Sequence, residues 1–438
     1  MKLMGVLALL IAAALLPART AIPQTQTLLA ITGVNVVDVV DGRIAANRMV
    51  TIAGDTIVSV TATGTPRAGA QIVDGRGTFL IPGLWDMHGH LEATGESSLQ
   101  LYVANGVTGV RDMGSNLDIV LGMRDATAAH RVVGPRIFAG PILDNAPGDW
   151  PFRLRVKTAD EGRSAVQMLK RRGVDLIKVH DNTPREVFFA IVDEARKQNL
   201  PVAGHVPRGL TAEQVIDAGQ GDIEHLANNS LWNGCSGGPD YRRDACRAFF
   251  EMLARRHIWQ TPTLAAASEI LTIGTSASEL DREQMAYASR FLREQWAGNQ
   301  KQFATPDAIQ TFRARARVSA LVTADMATAG VGILAGCDAM IAGFCVHDEL
   351  AAMVKGGMTP LAALQTATIN PARYFGREQT LGTIGDGKAA DVVLLDRNPL
   401  ERAAHYRSIS AVIKEGKVID RSALPTRRLL SGSSGVGG

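Results

Sequence analysis

The central part of the chain alternates short, continuously apolar runs with longer segments of helical periodicity. Continuous apolar runs are typical of parallel strands that are covered on both faces. Eight such runs alternate with helical segments, which predicts an α/β fold with a (β/α)8 TIM barrel over residues 81–377. The predicted strands are Leu80–Trp85, Gly106–Arg111, Pro135–Ala139, Asp175–Val179, Pro201–Val206, Asp222–His225, Trp259–Thr263 and Gly332–Ala335.

A different pattern flanks this region on both sides. Short runs rich in β-branched residues, separated by Gly, Asp and Pro turns, occupy residues 49–74 and return at residues 390–419. This spacing is typical of antiparallel strands rather than of strand–helix–strand units. We therefore expect residues 28–80 and 378–422 to form one small composite β-sandwich domain, built from both ends of the chain.

Helix starts inside the predicted barrel carry capping boxes, in which a threonine and the residue three positions later satisfy free backbone donors. The pattern occurs at 158–161, 183–186 and 211–214. Residues 275–330 depart from the strand–helix alternation, because they are charged and largely helical in pattern. We expect this segment to be an insertion that covers the mouth of the barrel.

Both ends of the chain have patterns that separate them from the folded domains. Residues 1–21 combine a positive charge, an apolar run too short to span a bilayer and small residues beyond it. This is the pattern of a secretory signal peptide, with a buried N-terminal helix as the alternative. We expect a periplasmic or secreted protein that is not held at a membrane after signal removal. Residues 426–438 lack apolar mass, and we expect a disordered tail.

Composition limits the classes of partner. The 438 residues are 46% hydrophobic and 20% charged, as in an ordinary globular chain, and the formal net charge is +3. Loss of Lys2 and Arg19 with the signal peptide leaves a net charge of about +1. Such a balance indicates neither a nucleic-acid partner nor a basic membrane-binding patch.

The four cysteines are candidates for disulfides in an exported protein. Cys235 and Cys246 flank a loop rich in Gly, Asp and Arg, and they are the favoured pair. Cys337 and Cys345 bracket a second loop. Because Cys337 directly precedes Asp338, a second disulfide would brace that residue, and two buried free thiols are the alternative.

Six polar residues at predicted strand ends are candidate ligands of a metal. His88 and His90 lie one residue apart, so strand alternation points both imidazoles to one side. In a barrel, the strand ends converge at one face. Histidine nitrogen and carboxylate oxygen are ligands that Zn²⁺ prefers, whereas a lysine ammonium repels a cation. The six residues are His88, His90, Lys178, His205, His225 and Asp338.

These residues lie in segments that resemble the amidohydrolase superfamily, in particular its imidazolonepropionase-like and Xaa-Pro dipeptidase-like branch. The resemblance extends from about residue 28 to 420, and its fold is the same (β/α)8 barrel with a β-sandwich. The matching segments are residues 82–90, 106–114, 175–179, 203–206, 223–226, 335–338, 347–350 and 385–393.

The resemblance implies a centre of two divalent metal ions. Carboxylation of Lys178 by CO₂ would make it an anionic ligand that bridges both ions, which we expect to be Zn²⁺, with Mn²⁺ and Co²⁺ as alternatives. A hydroxide between the ions would attack an amide carbonyl, and Asp338 would carry the proton to the leaving amine. The other ligands would divide into His88, His90 and Asp338 for one ion and His205 and His225 for the other.

Residues around this centre have further predicted roles. His180 is a candidate contact for the substrate oxyanion, with a bond to a loop as the alternative. Arg111 and Asp112 are expected to form an ion pair at the barrel rim, with a substrate role as the alternative. Residues 141–150 and 179–182 replace glycine-containing stretches of dipeptidase-like relatives, so substrate specificity does not carry over.

The leading hypothesis is hydrolysis of an amide bond in a dipeptide, an Xaa-Pro substrate or an N-acyl amino acid, including ochratoxin-like molecules. A cyclic-amide hydrolase or deaminase of the same superfamily is the alternative. His205 is followed by Val-Pro-Arg-Gly, without the glutamate that deaminases use as a proton shuttle. An inactive scaffold is a third hypothesis, and retention of all six candidate ligands disfavours it. We also expect a homo-oligomer, as in similar enzymes.

Overall fold

The computed structural model describes most of the chain. The predicted signal peptide and the predicted disordered tail lie outside the described residues. Among the helices of the described part, none combines the length and apolarity needed to cross a bilayer. The described residues are 27–62, 64–147, 152–226, 231, 233–236, 240–271, 283–290, 292–294, 297–298, 306–338 and 341–422.

One mixed sheet contains strands from both ends of the chain. Val392–Leu395 pairs antiparallel with Phe79–Pro82, and this pairing joins the two groups of strands. Ile31, Ile52 and Leu80 are among the fully buried side chains of its apolar cluster. The strands of the sheet are Leu28–Val37, Ile44–Ala53, Thr56–Ala62, Gln71–Asp74, Phe79–Pro82, Val392–Leu395, Ile409–Lys414 and Lys417–Val418.

Short parallel strands lie between these two groups and form two sheets. Their side chains are almost all buried, as expected for strands that are covered on both faces. The three-stranded sheet contains Leu84–Gly89, Val107–Asp112 and Arg136–Ala139. The seven-stranded sheet contains, in spatial order, Arg153–Arg155, Ile142–Asp144, Ile177–Val179, Val202–Gly204, Asp222–Glu224, Trp259–Thr261 and Gly332–Ile333.

Backbone hydrogen bonds span both gaps between the two parallel sheets. Met87 N donates to Ala335 O at 2.7 Å, so the first parallel strand lies beside the last. On the other side, Asp175 N donates to Ala139 O at 3.0 Å. With helices between most of the strands, this is a TIM-barrel-like α/β fold. In such a fold the carboxyl ends of the parallel strands lie together at one end of the sheets.

Helices follow most of the parallel strands and cover them. The largest apolar cluster lies between the two layers and includes Val110, Ile177, Phe188, Ile223 and Leu350. The α-helices are Leu91–Thr94, Ser98–Ala104, Leu117–Ala128, Ala159–Arg171, Arg185–Lys197, Ala212–Ala218, Asn233–Ser236, Arg243–Arg255, Leu264–Leu271, Pro306–Thr328, Phe344–Lys355, Pro360–Thr366 and Ile369–Tyr374, and the 3-10 helices are Glu283–Tyr287 and Ala403–Arg407.

The predicted strand Leu80–Trp85 was wrong in its bounds, because this apolar run belongs to two different sheets. The chain leaves the mixed sheet after Pro82 and enters the first parallel strand at Leu84. Gly83 lies at the crossing, where an added Cβ would lie only 2.0 Å from the Thr108 hydroxyl. The absence of a side chain at Gly83 therefore allows the close passage from one sheet to the other.

One of the three predicted capping boxes is complete, at Thr211 and Gln214. At Thr158 the threonine caps the helix, but Glu161 accepts from the backbone N–H of Lys157 and not from that of Thr158. Thr158 and Thr211 each accept a hydrogen bond at 3.2 Å from the backbone N–H three residues later. The prediction for Thr183 was wrong, because this residue does not cap the helix Arg185–Lys197. The Thr183 hydroxyl instead donates to Leu143 O at 3.1 Å and thereby joins the loop after Ile177–Val179 to the strand Ile142–Asp144.

The segment predicted to cover the barrel mouth has two kinds of described structure. The helix Pro306–Thr328 packs against Leu264–Leu271 and Phe344–Lys355, so it is an outer helix of the strand–helix alternation rather than a cover. Ser289, in contrast, donates its hydroxyl to Ala93 O at 2.8 Å. Ala93 lies just after the first parallel strand, so this part of the segment reaches the carboxyl ends of the strands.

Candidate metal centre

The carboxyl ends of the parallel strands bring the six predicted ligands into one cluster. Four of them are at most 5% exposed. The side chains of His90 and Asp338 are 20% and 30% exposed, so solvent reaches the cluster from their side. The four buried members are His88, Lys178, His205 and His225.

Asp338 lies among three of the histidines. Its Oδ1 is 3.4 Å from His90 Nε2 and 3.9 Å from His88 Nε2, and its Oδ2 is 3.6 Å from His225 Nδ1. Burial favours the protonated acid, but the hydrogen bond from His90 and the charge of His225 outweigh burial and hold the pKa of Asp338 below its usual range. An ionised carboxylate close to His88 and His225 is a suitable set of ligands for one divalent ion.

Lys178 lies beside His88, inside the cluster. Its Nζ is 3.1 Å from His88 Nε2, and the side chain is 1% exposed. Burial lowers the pKa of Lys178, and the negative charges of Asp338 and Glu224 oppose this effect only in part. The structure therefore places an amine with a weakened proton affinity next to the predicted ligands.

His205 lies next to both His225 and His180. The ring centres of His205 and His225 are 4.8 Å apart, and the His180 ring lies 3.9 Å from that of His205. Burial and the neighbouring positive groups lower the pKa of His180 to about 2, so its ring is neutral near pH 7. His180 therefore lies at the edge of the cluster, next to the half predicted to hold the second ion.

All four predicted histidine ligands have their Nδ1 atoms within hydrogen-bond distance of a protein oxygen. In such an arrangement, Nε2 is the atom that remains for a ligand. His205 Nε2 is buried and has no hydrogen-bond partner in the described part of the chain. Metal-binding histidines usually bond their other ring nitrogen in this way, so these residues fit a metal site. The Nδ1 partners are Glu224 Oε2 at 2.6 Å for His88, Gly114 O at 2.7 Å for His90, Asp181 Oδ1 at 2.7 Å for His205 and Thr263 Oγ1 at 2.9 Å for His225.

The predicted ion pair between Arg111 and Asp112 was wrong, because neighbours along a strand point to opposite faces. Arg111 is fully buried and pairs with Asp222 and Glu224. Asp112 instead accepts hydrogen bonds from the backbone N–H groups of Leu91 and Gly114 and from a serine hydroxyl. Asp112 thus joins the start of the helix Leu91–Thr94 to the loop that follows its own strand.

The two carboxylates that bond histidine ligands, Glu224 and Asp181, were not among the predicted site residues. Glu224 and Asp222 alternate along one strand, so both point to the same face, and this spacing of two was the available signal for a polar face. Asp181 follows His180 directly and bonds His205, a contact that depends on the neighbouring strand. Neither contact can be read from spacing alone.

The backbone at Asp338 is held in a conformation that is uncommon for a residue with a side chain. Its φ is 47°, in the left-handed region, and His225 has a φ of 60°. The Asp338 N–H donates to His88 O at 2.8 Å, and Cys337 is joined by a disulfide to Cys345. These two contacts restrain the backbone at Asp338 and at the residue before it.

Both cysteine pairs form disulfides. Cys235 is bonded to Cys246, which confirms the favoured pairing. Cys337 is bonded to Cys345, so the alternative of two free thiols does not apply to this structure. Among the described residues no free cysteine remains.

A comparison with known protein families identifies the family of this chain. The sequence profile described as "Amidohydrolase family" matches residues 79–419. The chain belongs to the amidohydrolase family. This match confirms the resemblance and makes the protein a hydrolase that acts on carbon–nitrogen bonds. The family generally uses divalent metal ions, in agreement with the ligand clusters described above.

Individual relatives of this amidohydrolase differ in activity. Ochratoxinase of Aspergillus niger is 26% identical over 407 residues, which covers 77% of this chain and 75% of the relative. Adenine deaminase of Deinococcus deserti is 26% identical over 360 residues, with 79% of this chain but 53% of the relative covered. A crystal structure of a Xaa-Pro dipeptidase with bound methionine shares the fold, with a TM-score of 0.69 and 21% identity over 90% of this chain and 100% of the dipeptidase chain.

Proposed function

We propose that this amidohydrolase hydrolyses the amide bond of a small peptide-like molecule with two divalent ions bound at the histidine cluster. The observation that carries the proposal is the common orientation of four histidines, each bonded through Nδ1 to the protein. Two ions at this position would supply a water of lowered pKa and would polarise the carbonyl under attack. Zn²⁺ suits a set of imidazole and carboxylate ligands.

The fold that supports this site is, in our proposal, a closed (β/α)8 barrel over residues 81–377. The hydrogen bonds from Met87 to Ala335 and from Asp175 to Ala139 support closure of the two parallel sheets into one ring. Residues 28–80 and 378–422 then form the composite sandwich domain. The barrel places every candidate ligand at the carboxyl ends of its strands, where barrel enzymes keep their active sites.

Lys178 is, in this proposal, carboxylated. A neutral lysine amine adds to CO₂, forms an N–C bond and loses a proton, which gives an anionic carbamate. The lowered pKa of Lys178 favours the neutral amine that this reaction needs. His88 Nε2, only 3.1 Å from Lys178 Nζ, marks where the new carboxylate would meet the histidine ligands.

Asp338 and His180 are the residues that we propose to contact water and substrate. Asp338 is ionised and 30% exposed, so it can take a proton from water and give it to the leaving amine. His180 is neutral and lies beside His205, on the cluster's edge, where its N–H can donate to the oxyanion. These roles assign proton transfer and charge stabilisation to different sides of the site.

The substrate class follows from the relatives only as a proposal. Ochratoxinase and the Xaa-Pro dipeptidase favour an N-acyl amino acid or a dipeptide with an amide bond. The adenine deaminase favours a deaminase or cyclic-amide hydrolase as the second candidate. Lys178 argues against a mononuclear deaminase, since a single ion coordinated by histidines and an aspartate leaves a buried lysine without a role. We further propose export through the signal peptide at residues 1–21 and a homo-oligomeric state.

Metal content tests this proposal. We expect elemental analysis of the purified protein to find about two divalent ions per chain, because the proposed ligands divide into two groups. Chelation should abolish hydrolysis of an N-acyl amino acid or dipeptide library, and Zn²⁺, Mn²⁺ or Co²⁺ should restore it. One ion per chain with deamination would favour the second candidate, and no ion would contradict the proposal.

The disulfide beside Asp338 gives a prediction about activity rather than stability. Replacing Cys337 and Cys345 by serine should lower kcat about tenfold, because the backbone next to Asp338 loses a covalent link to the helix that begins at Phe344. Replacing Cys235 and Cys246 by serine is the matched control, since the sequence separations are similar, 8 and 11 residues. Both double variants should lose about 2–4 kcal/mol of stability.

Kinetics and thermal unfolding of the two double serine variants separate these effects. A loss of kcat confined to the Cys337→Ser, Cys345→Ser variant is the expected result. Equal kcat values in both variants, at temperatures where both are folded, would show that the disulfide does not position Asp338.

A further inference from the structure

A buried carboxylate lies directly behind one of the proposed metal ligands. Glu224 Oε2 is 2.6 Å from His88 Nδ1, and both side chains are fully buried. The other ring nitrogen, His88 Nε2, faces Lys178 Nζ at 3.1 Å and Asp338 Oδ1 at 3.9 Å. Glu224 therefore contacts the ring on the side opposite to the cluster and does not itself reach the reacting atoms.

Glu224 is held in place by a buried arginine. Its Oε1 accepts a hydrogen bond from Arg111 at 2.7 Å, and Arg111 also pairs with Asp222 at 2.5 Å and donates through Nε to Met87 O. All three side chains are fully buried. Fixed at one oxygen by Arg111, the Glu224 carboxylate has its second oxygen directed at His88.

The partner of His88 differs in kind from those of the other predicted histidine ligands. His90 and His225 bond neutral oxygens, a backbone carbonyl and a threonine hydroxyl. Asp181, which bonds His205, is 32% exposed, and water therefore screens its charge. The bond between Glu224 and His88 is instead fully buried and braced by Arg111, and a dry environment strengthens a hydrogen bond.

We propose that Glu224 is a positioning residue that fixes the orientation and Nδ1–H form of His88, so that Nε2 binds one of the two ions tightly. This inference rests on the proposed metal centre. The neighbouring residues Glu224 and His225 then have different functions, because Glu224 orients the ligand His88 and His225 is itself a ligand. Arg111 acts one step further away and holds the Glu224 carboxylate through its Oε1.

Three variants separate orientation of His88 from stability of the buried charges. Glu224→Gln keeps an oxygen that can accept from Nδ1 but loses the charge, and Glu224→Ala loses both. Asp222→Asn is the matched control, because it removes a second carboxylate partner of Arg111 that has no contact with His88. Competition between each folded variant and a chelator for Zn²⁺ measures the affinity of each ion, and the visible spectrum of Co²⁺-loaded protein reports on the ligand geometry.

We expect the affinity of one ion to fall about tenfold in Glu224→Gln and about a hundredfold in Glu224→Ala, with the second ion much less affected. Asp222→Asn should bind both ions within threefold of wild type and keep the Co²⁺ spectrum, even if its melting temperature falls as far as those of the Glu224 variants. Wild-type affinities in Glu224→Gln and Glu224→Ala, or equal losses in Asp222→Asn, would overturn the positioning role. A wild-type protein without metal would instead overturn the proposed function itself.

Discussion

Replacement of Lys178 by alanine is expected to abolish hydrolysis and to lower the number of bound metal ions. The residue lies inside the ligand cluster, 1% exposed, and its carboxylated form is the proposed ligand shared by both ions. Without it, the remaining ligands cannot hold the two ions together, and kcat/KM should fall by about 10³-fold or more. Steady-state kinetics and elemental analysis on the same preparation measure both effects.

Two controls test the chemical basis of this loss. Lys414→Ala removes another buried lysine, which pairs with Asp391 and Glu415 in the mixed sheet, and it should keep full activity. Acetate or propionate should restore part of the activity of Lys178→Ala, since a small carboxylate can occupy the vacated space. Lys178→Met fills that space without a charge, so added acetate should not restore it. Full activity of Lys178→Ala would show that no bridging carbamate exists.

The parts of the fold that sequence predicts are those set by burial along a single strand. All eight predicted parallel strands have a counterpart in the structure, because strands covered on both faces need continuous apolar runs. The same rule explains the error at Leu80–Trp85. An apolar run does not change its pattern where the chain passes from one sheet to another, and Gly83 was the only local sign of the crossing.

The strands Ile142–Asp144 and Arg153–Arg155 were missed for a different reason. Each has three residues, too few for an alternation to stand out, and neither was among the eight predicted strands. Ile142–Asp144 pairs with Ile177–Val179, the strand that carries Lys178. The two paired strands are more than thirty residues apart in the sequence, so their pairing is a tertiary contact. The formation of such short strands depends more on these contacts than on the strand propensity of their own residues.

The site divides in a similar way between what spacing predicts and what only contacts reveal. The six predicted ligands could be found because strand ends converge in a barrel, whichever residues lie between them. The residues that orient these ligands could not be found in this way, because each of their contacts joins two different strands. Glu224 meets His88 across the barrel interior, and Asp181 meets His205 between neighbouring loops. Such distances depend on the register between strands, which no single segment contains.

Asp338→Asn is the second substitution with a large expected effect, because it removes the proposed proton carrier and keeps the shape of the side chain. The ionised carboxylate of Asp338 lies 3.4 Å from His90 Nε2, while the amide of asparagine cannot take up a proton at neutral pH. We expect kcat to fall by about 10²–10⁴-fold. The measurement is kcat for one acyl group presented both as an amide and as a p-nitrophenyl ester.

The comparison of the two substrates isolates the proton given to the leaving group. An amine must be protonated as it leaves, whereas p-nitrophenolate leaves as an anion, so Asp338→Asn should lose less activity on the ester than on the amide. Asp181→Asn is the matched control, because it makes the same change in a carboxylate that bonds His205 and transfers no proton. Its losses should be equal on both substrates. Equal losses for Asp338→Asn as well would contradict proton delivery by Asp338 and leave it only the role of a metal ligand.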